Sequence, residues 1–277
     1  MTIYYNVKIK KIGTGNTDPI QVTGLPEGAR LTNFSWSPDQ KKMALTNTTS
    51  KGVEVWLLDV EAAKLTQLTD ATVNANMRDV INWFSDSKSL LVKMVPESRK
   101  ALIDVDNAVP TGPTISVSDG KKAQNRTYQD LLKNPDDEYN FEQLAHSRLD
   151  KVNIDATKEQ WMKAAMYTGV SFSPDGEYVM VTVVDRPFSY LVPYNRFPTI
   201  TTVYTKGAKK VNEVLRVPLI EDLPKGFMSA IKGRRYLSWR ADKPSSIIFA
   251  MALDEGDPEN EVEYRDEIFE LTAPFNG

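Results

Sequence analysis

Cysteine is absent from the 277-residue chain, and histidine occurs once, at His146. Without cysteine the protein has no disulfide bond, thiol nucleophile, iron–sulfur cluster or thiolate zinc site. One imidazole is too few for a zinc site built from two or three histidines, and a serine–histidine–acid triad would depend on His146 alone. The sequence therefore predicts no metal ligand and no cofactor.

The sequence also lacks an excess of one charge and any long hydrophobic run. Lysine and arginine number 34 and aspartate and glutamate 37, so the formal net charge is −3, which argues against a nucleic-acid-binding protein. The apolar runs near 179–184 and 247–253 have the length of a strand, whereas a helix that crosses a bilayer needs about 20 residues. Residues 1–13 contain no apolar core of a signal peptide. We expect no membrane span.

One phrase recurs four times: an aromatic residue at a strand end, a polar turn with aspartate, and an apolar run. The copies lie at 33–45, 81–92, 170–181 and 237–249. In the third copy the turn is Ser173-Pro-Asp-Gly176, where proline fixes φ near −65° and glycine accepts a left-handed conformation. The run that follows is rich in β-branched residues, which is typical of a buried strand. Each copy therefore predicts a β-hairpin.

The spacing of the copies predicts a β-propeller. Trp36 and Trp83 are 47 residues apart, close to the roughly 40–50 residues of a four-stranded blade. We expect an all-β, TolB-like propeller with about three complete and two partial blades. The expected limits are 1–25 (partial), 29–70, 78–165, 168–220 and 233–277 (partial). A β-sandwich is the alternative, but it gives no reason for the recurring phrase.

Residues 105–147 depart from the repeat and are expected to be an insertion in the second complete blade. Thr127 followed by Asp130 is typical of a helix start, and Pro135 is expected to stop that helix. We expect one or two short helices within 124–146.

Several longer phrases carry a resemblance to a known family; they are residues 125–133, 186–193, 196–198, 218–224 and 238–244. Together they resemble the N-terminal propeller of glutamyl endopeptidase-like serine peptidases of the prolyl oligopeptidase superfamily, Bacteroides type. The resemblance implies a C-terminal α/β-hydrolase domain with its serine in a Gly-x-Ser-x-Gly elbow. That motif does not occur in this sequence. We therefore expect a non-catalytic propeller fragment without catalytic residues, from a periplasmic or secreted parent.

The resemblance also implies which residues face a substrate. Cleavage after glutamate requires a cation for the substrate carboxylate, and arginine offers a two-pronged donor. Arg186, Arg196 and Arg240 lie in the family-like phrases with Tyr190 close by, and these four are predicted to face the substrate. An arginine in such a loop can equally bind neighbouring carbonyl groups or a carboxylate, and that interpretation stays open.

Three other features are interpreted as structural. His146, which precedes Ser147, is expected to be a surface or helix-end histidine. Arg234 and Arg235 are expected in a solvated loop. The acidic stretches 136–138 and 254–259 lack the ligand spacing of a calcium loop and are expected to be solvated turns.

Two functions remain. In the first, the propeller gates access to the active site of a hydrolase domain and helps to orient peptide substrates; its partners are that domain and the peptides. In the second, the chain is a stand-alone TolB-like propeller that binds a protein or a ligand. Unpaired strand edges also predict self-association of the fragment.

Overall fold

The computed structural model describes residues 2–13, 15, 18–104, 128–224 and 228–277. The regular secondary structure of these residues consists almost entirely of antiparallel β-strands, with one α-helix and one short 3-10 helix among them. The all-β class expected from the sequence is confirmed. The chain divides into two compact units: unit 1 is Met1–Arg99 with His146–Ala165, and unit 2 is Lys100–Ala145 with Met166–Gly277.

Unit 1 begins with a short β-pair and a four-stranded sheet, each with its strands in chain order. The pair consists of β1 (Lys8–Ile9) and β2 (Ile20–Gln21), and the sheet of β3 (Leu31–Trp36), β4 (Lys42–Thr49), β5 (Gly52–Asp59) and β6 (Lys64–Gln67). A second set of strands follows. It contains β7 (Ile81–Trp83), β8 (Ser89–Met94), β9 (Ser147–Asn153) and the first half of β10 (Lys158–Phe172).

Unit 2 repeats this arrangement. Its first set consists of the second half of β10, then β11 (Tyr178–Val184), β12 (Thr199–Thr205) and β13 (Lys210–Val217). Its second sheet has three strands, β14 (Arg234–Trp239), β15 (Ser246–Ala252) and β16 (Asp266–Thr272). The number and limits of the propeller blades stay a prediction.

The 15-residue strand β10 belongs to two sets at once. Residues Lys158–Ala165 pair with β9, and residues Met166–Phe172 pair with β11. The register shifts three times along the strand, between Gln160 and Met162, Met162 and Ala165, and Tyr167 and Gly169. Such irregularities bend a strand and increase its twist, and they explain how one strand serves two four-stranded sets.

The recurring turn is held by its own serine and aspartate. Ser173 Oγ donates to Asp175 Oδ1 at 2.6 Å and accepts from the Tyr178 amide at 3.0 Å. Gly176 has φ of 73°, the left-handed conformation for which glycine was expected here. The first copy makes the same contacts around Ser37. The hairpin predicted from the phrase is confirmed in both copies.

Within each unit, a tryptophan of one hairpin is bonded to the hairpin before it. Trp83 Nε1 donates to the main-chain oxygen of Ser35 at 3.0 Å, and Trp239 Nε1 donates to that of Ser171 at 3.2 Å. Each acceptor stands one residue before the aromatic position of its own hairpin. The contact therefore repeats with the sequence phrase, and it aligns neighbouring sheets in the same way in both units.

Each unit buries its own apolar core between these sheets. In unit 1 the main cluster comprises Ala44, Val55, Leu57, Leu68, Val73, Val80, Ile81, Trp83, Leu90, Val92, Met94 and Val152. In unit 2 it comprises Met180, Val203, Val214, Ile247, Phe249, Leu271 and Phe275. Most of these side chains come from alternate strand positions, as expected for sheets that pack face to face.

The helical insertion is confirmed, but its limits differ from those expected. Residues 124–127 lie outside the described part of the chain, and residues 128–134 are not helical. The α-helix α1 is Pro135–Ala145, so Pro135 begins a helix and does not stop one. Asn134 caps it, since its Oδ1 accepts from the Asp137 amide at 2.9 Å. Proline suits the first turn because the amide it lacks has no partner within the helix there.

No helix in the described part of the chain combines the length and apolar character that membrane crossing requires.

Candidate functional site

The long connections of unit 2 lie at one edge of its sheets. Because the strands are antiparallel, β11 and β13 end where β12 begins, and β15 ends where β14 and β16 begin. The connections at this edge include residues 185–198, 218–224, 228–233 and 253–265; those at the opposite edge are turns at 173–177, 206–209 and 240–245. Binding residues concentrate in long loops on a rigid scaffold. This edge, called the long-loop edge below, is the candidate site.

Arg186 fastens helix α1 to the first of these loops. Its guanidinium donates to Glu142 through Nε (3.3 Å) and Nη2 (2.9 Å), and its Nη1 donates to Glu138. Tyr190 completes the group, since its hydroxyl donates to Glu138 Oε2 at 3.0 Å. One guanidinium thus meets two carboxylates, so the group as a whole carries no surplus positive charge.

The charges of this group shift the pKa values of its members. The hydrogen bonds to Glu142 and then to Glu138 raise the pKa of Arg186, which stays charged. Burial, followed by the bond to Glu138, raises the pKa of Tyr190. Both shifts favour the protonated donors that hold the helix to the loop, and neither creates a general base at neutral pH.

An aromatic cluster seals the same junction. Phe141 of α1 contacts the rings of Phe188 and Phe197 edge-on, with centroids 5.2 and 5.7 Å away. Phe188 and Phe197 stack on each other at 5.2 Å, and the Arg186 guanidinium lies 4.5 Å from the Phe188 centroid. Phe197 is buried. The helix is therefore fixed by apolar burial as well as by the arginine.

Arg196 has a different environment. It is the last residue of the 3-10 helix Tyr194–Arg196, and its guanidinium lies 5.4 Å from the ring centroid of Tyr128. Among the described residues, no carboxylate lies within ion-pair distance of it. Its cation–π contact holds the side chain without neutralising the charge.

Arg240 is separated from the other three candidates. It directly follows β14, in the turn at the opposite edge of the sheet. Its guanidinium bonds Asp242 at 2.9 and 2.7 Å and Glu270 at 2.9 Å. The hydrogen bond from Arg240 lowers the pKa of Asp242 to about 2. The structure therefore brings Arg186 and Tyr190 together, places Arg196 in the same loop, and puts Arg240 elsewhere.

Sequence reasoning missed the helix carboxylates. Residues 136–138 were expected to be a solvated turn, whereas Glu138 lies on α1 and binds Arg186 and Tyr190. Glu138 and Glu142 are four residues apart and share a helix face. The four-residue spacing of these glutamates could have indicated a shared helix face. It does so only if both residues lie in one helix, and the sequence did not fix the limits of that helix.

His146 and Ser147 do not form a catalytic pair. Ser147 begins β9 and is fully buried, and its hydroxyl makes no hydrogen bond within the described residues. The main-chain oxygen of His146 accepts from Asn74 Nδ2 at 2.8 Å.

The described residues contain no group of three or more His, Cys, Asp or Glu side chains placed to hold a metal ion. In the acidic stretch 254–259, Asp254 is not solvated as expected: it is buried and accepts from Arg265 Nε at 2.6 Å.

Comparison with curated proteins finds two plant relatives. The chain is 34% identical over 290 residues to a probable chloroplastic glutamyl endopeptidase of Oryza sativa subsp. japonica, covering all of this chain and 31% of that protein. It is 36% identical over 267 residues to the protein of the same name in Arabidopsis thaliana, covering 91% of this chain and 27% of that protein. No protein-family model matches. The likeness to the Bacteroides type and the periplasmic or secreted location stay predictions.

Solved structures resemble the chain only in part. An oligogalacturonate lyase from Vibrio parahaemolyticus has a TM-score of 0.48 at 9% identity, covering 91% of this chain and 53% of that one. The acylaminoacyl peptidase of Pyrococcus horikoshii has a TM-score of 0.45 at 13% identity, covering 89% and 32%. The chain is similar along 91–100% of its length to two proteins named glutamyl endopeptidase, and it spans 27–31% of their length.

Proposed function

We propose that this chain is the non-catalytic propeller portion of a glutamyl endopeptidase-like serine peptidase. It restricts access to the active site of an α/β-hydrolase domain and helps to orient peptide substrates there. One observation carries the proposal: the whole chain matches about a third of a protein named glutamyl endopeptidase, yet its sequence has one histidine and no Gly-x-Ser-x-Gly motif. Access control and orientation contribute selectivity, while the chemistry takes place elsewhere.

The repeated sheets support the propeller part of the proposal. Four-stranded sets follow one another in chain order, and the bonds Trp83–Ser35 and Trp239–Ser171 join successive hairpins. We assign about three complete and two partial blades on this basis.

The geometry separates the roles of the four candidate residues. Arg186 and Tyr190 bind the carboxylate of Glu138 and hold α1 as a wall of the long-loop edge. Arg196 keeps a charge that no described carboxylate neutralises. Of the four, we therefore assign Arg196 the contact with an acidic substrate residue. Arg240 acts at the opposite edge as a structural ion pair.

A segment exchange tests this function. In the rice relative, the region matched by this chain is deleted or replaced by residues 1–277, and the cleavage of a short glutamyl peptide is compared with that of a folded protein. We expect the exchange to preserve selectivity for the short peptide and the deletion to abolish it. Equal cleavage of the folded protein by the intact and deleted enzymes contradicts the gating role.

The orienting role is tested in the same chimaera. Arg196→Gln is expected to raise the KM for a glutamyl peptide with little effect on an uncharged peptide, because the lost contact is to a carboxylate. Arg240→Gln is the matched control and is expected to leave both values unchanged.

A further inference from the structure

A second feature of the long-loop edge has no role in the contacts described so far. A cleft of about 370 Å³ opens between the start of β12, the end of β13 and residues 229–236. A neighbouring cleft of about 340 Å³ shares several wall residues with it, among them Leu215, Ile220 and Arg234. The two clefts adjoin in unit 2 and are together called the groove below. Its size is within the range of sites that bind small ligands or peptide side chains.

The walls of the larger cleft are apolar, and its charged members are all cations. Phe197, Leu215, Val217 and Ile231 supply the apolar surface. Arg234 and Arg235 line it and no aspartate or glutamate does, whereas the neighbouring cleft is lined by Asp222 as well as by cations. This asymmetry is notable in a chain with 37 acidic residues. An apolar groove with cationic groups fits a ligand that joins a carboxylate to an aliphatic stem.

Arg234 was expected in a solvated loop but begins β14 and is half-buried. Its Nη1 and Nη2 donate to the main-chain oxygens of Val214 (3.0 Å) and Gly277 (2.6 Å), and its guanidinium lies 4.7 Å from the Phe249 centroid. No side-chain carboxylate of the described residues lies within ion-pair distance of it. The side chain is thus held in place by two main-chain oxygens, one of them from the last residue of the chain, and by an aromatic ring.

Two hydrogen-bond donors beside Arg234 lack an acceptor. Ser229 Oγ and Arg235 Nε are both buried and make no hydrogen bond within the described residues, although Arg235 pairs with Asp266 through Nη2. Both residues line the cleft. Buried polar groups without partners are rare because each costs free energy. An acceptor group placed within reach of either atom would satisfy that donor.

We propose that this cleft binds the carboxylate of an acidic side chain in a peptide, with Arg234 as counter-ion and Ser229 and Arg235 as hydrogen-bond donors. The peptide assignment rests on the proposed function, because a peptide substrate supplies such a side chain at this edge. The aliphatic part of a glutamate lies against Leu215 and Ile231, and its carboxylate reaches the base of the groove. This subsite is additional to Arg196.

Direct binding tests the subsite without any catalytic domain. The purified chain is titrated with the blocked peptide acetyl-Ala-Ala-Glu-Ala-amide, with its Gln counterpart and with free glutarate, by isothermal calorimetry. We expect the Glu peptide to bind about tenfold more tightly than the Gln peptide, the order of one charge-assisted hydrogen bond. Equal binding of the two peptides, or no binding of either, overturns the proposal. Glutarate binding as tight as the Glu peptide overturns the peptide assignment.

Variants identify the site. Ser229→Ala and Arg234→Gln are each expected to weaken binding of the Glu peptide severalfold, and Ile231→Phe is expected to block it by filling the groove. Arg240→Gln, an arginine at the opposite edge, is the matched control. Thermal unfolding of each variant separates loss of binding from loss of fold. Unchanged affinity in Ser229→Ala and in Ile231→Phe, with both folded, overturns the proposal. Because no cleavage is measured, this test can fail while the segment exchange succeeds.

Discussion

Trp239 donates its indole N–H to the main-chain oxygen of Ser171 at 3.2 Å, across 68 residues of sequence. The indole also lies 3.1 Å from Ser171 Oγ and packs edge-on against Phe275. Since Trp83 makes the equivalent bond to Ser35, the recurring aromatic position joins the second hairpin to the first and the fourth to the third. The phrase that reveals the repeat in the sequence therefore also supplies the bond between sheets.

We predict that Trp239→Phe destabilises the chain by about 1 kcal/mol, the contribution of one buried hydrogen bond when the ring is largely retained. Trp83→Phe is the matched change in unit 1 and is expected to cost a similar amount. Chemical denaturation followed by circular dichroism measures both. A free energy of unfolding that does not change in either variant would contradict a structural role for the bond.

We predict that Arg186→Gln releases α1 from the loop at 185–198. The side chain is about half-exposed, so the loss of stability is expected to be small, about 1 kcal/mol. The local effect is larger, because a neutral amide leaves Glu138 and Glu142 close together without a cation. Hydrogen exchange of the amides in 135–145 is expected to accelerate. If the amides of Arg186→Gln exchange no faster than those of the Arg240→Gln control, the ion pairs of Arg186 do not hold the helix against the loop.

Because the side chain of Lys93 is buried, we predict that the free energy of unfolding depends on pH in an unusual way. This side chain is buried on β8 and donates to the main-chain oxygen of Asn76. Burial lowers the pKa of Lys93 to about 8, although the charge of Asp79 opposes the shift. The unfolded chain, with a lysine pKa near 10.4, binds more protons than the folded chain between pH 8 and 10. The contribution of Lys93 to the free energy of unfolding therefore rises with pH across that window.

Lys93→Met is expected to remove this rise, which is on the order of 2 kcal/mol. Urea unfolding at pH 7.5, 8.5 and 9.5 measures it. Lys42→Met is the control, because Lys42 pairs with Asp59 at 2.8 Å near the surface and its loss leaves the rise intact. A parallel pH profile in Lys93→Met and the unsubstituted chain would refute the assignment to Lys93.

We predict that the isolated chain self-associates through β16. Among the described residues this strand pairs with β15 alone, and Ile268, next to its central residue, is 74% exposed. An unpaired strand edge with an exposed apolar side chain is a template for pairing with another chain. Ile268→Lys is expected to lower the apparent mass measured by light scattering at high concentration, whereas Tyr5→Lys, which alters an exposed residue outside any strand, is not. A monomer at all concentrations would sink the prediction.

The sequence alone determined the hairpins and the all-β class. Turn chemistry and alternation act over a few residues, so Ser173-Pro-Asp-Gly176 and the strand after it could be predicted without knowledge of distant contacts. The helix limits could not, because Pro135 is compatible with ending one helix or beginning the next. Only the capping contact of Asn134 decides between them.

The surroundings of each arginine were decided by the tertiary structure. Arg186, Arg196, Arg234 and Arg240 are chemically identical in the sequence, and short phrases do not indicate which of them finds a carboxylate. In the folded chain the guanidinium of Arg186 pairs with carboxylates of helix α1, and Arg240 forms its ion pairs at the opposite sheet edge. Arg196 and Arg234 have no side-chain carboxylate within ion-pair distance among the described residues. Electrostatic roles depend on distances between residues far apart in the chain, and those distances exist only after the sheets have paired.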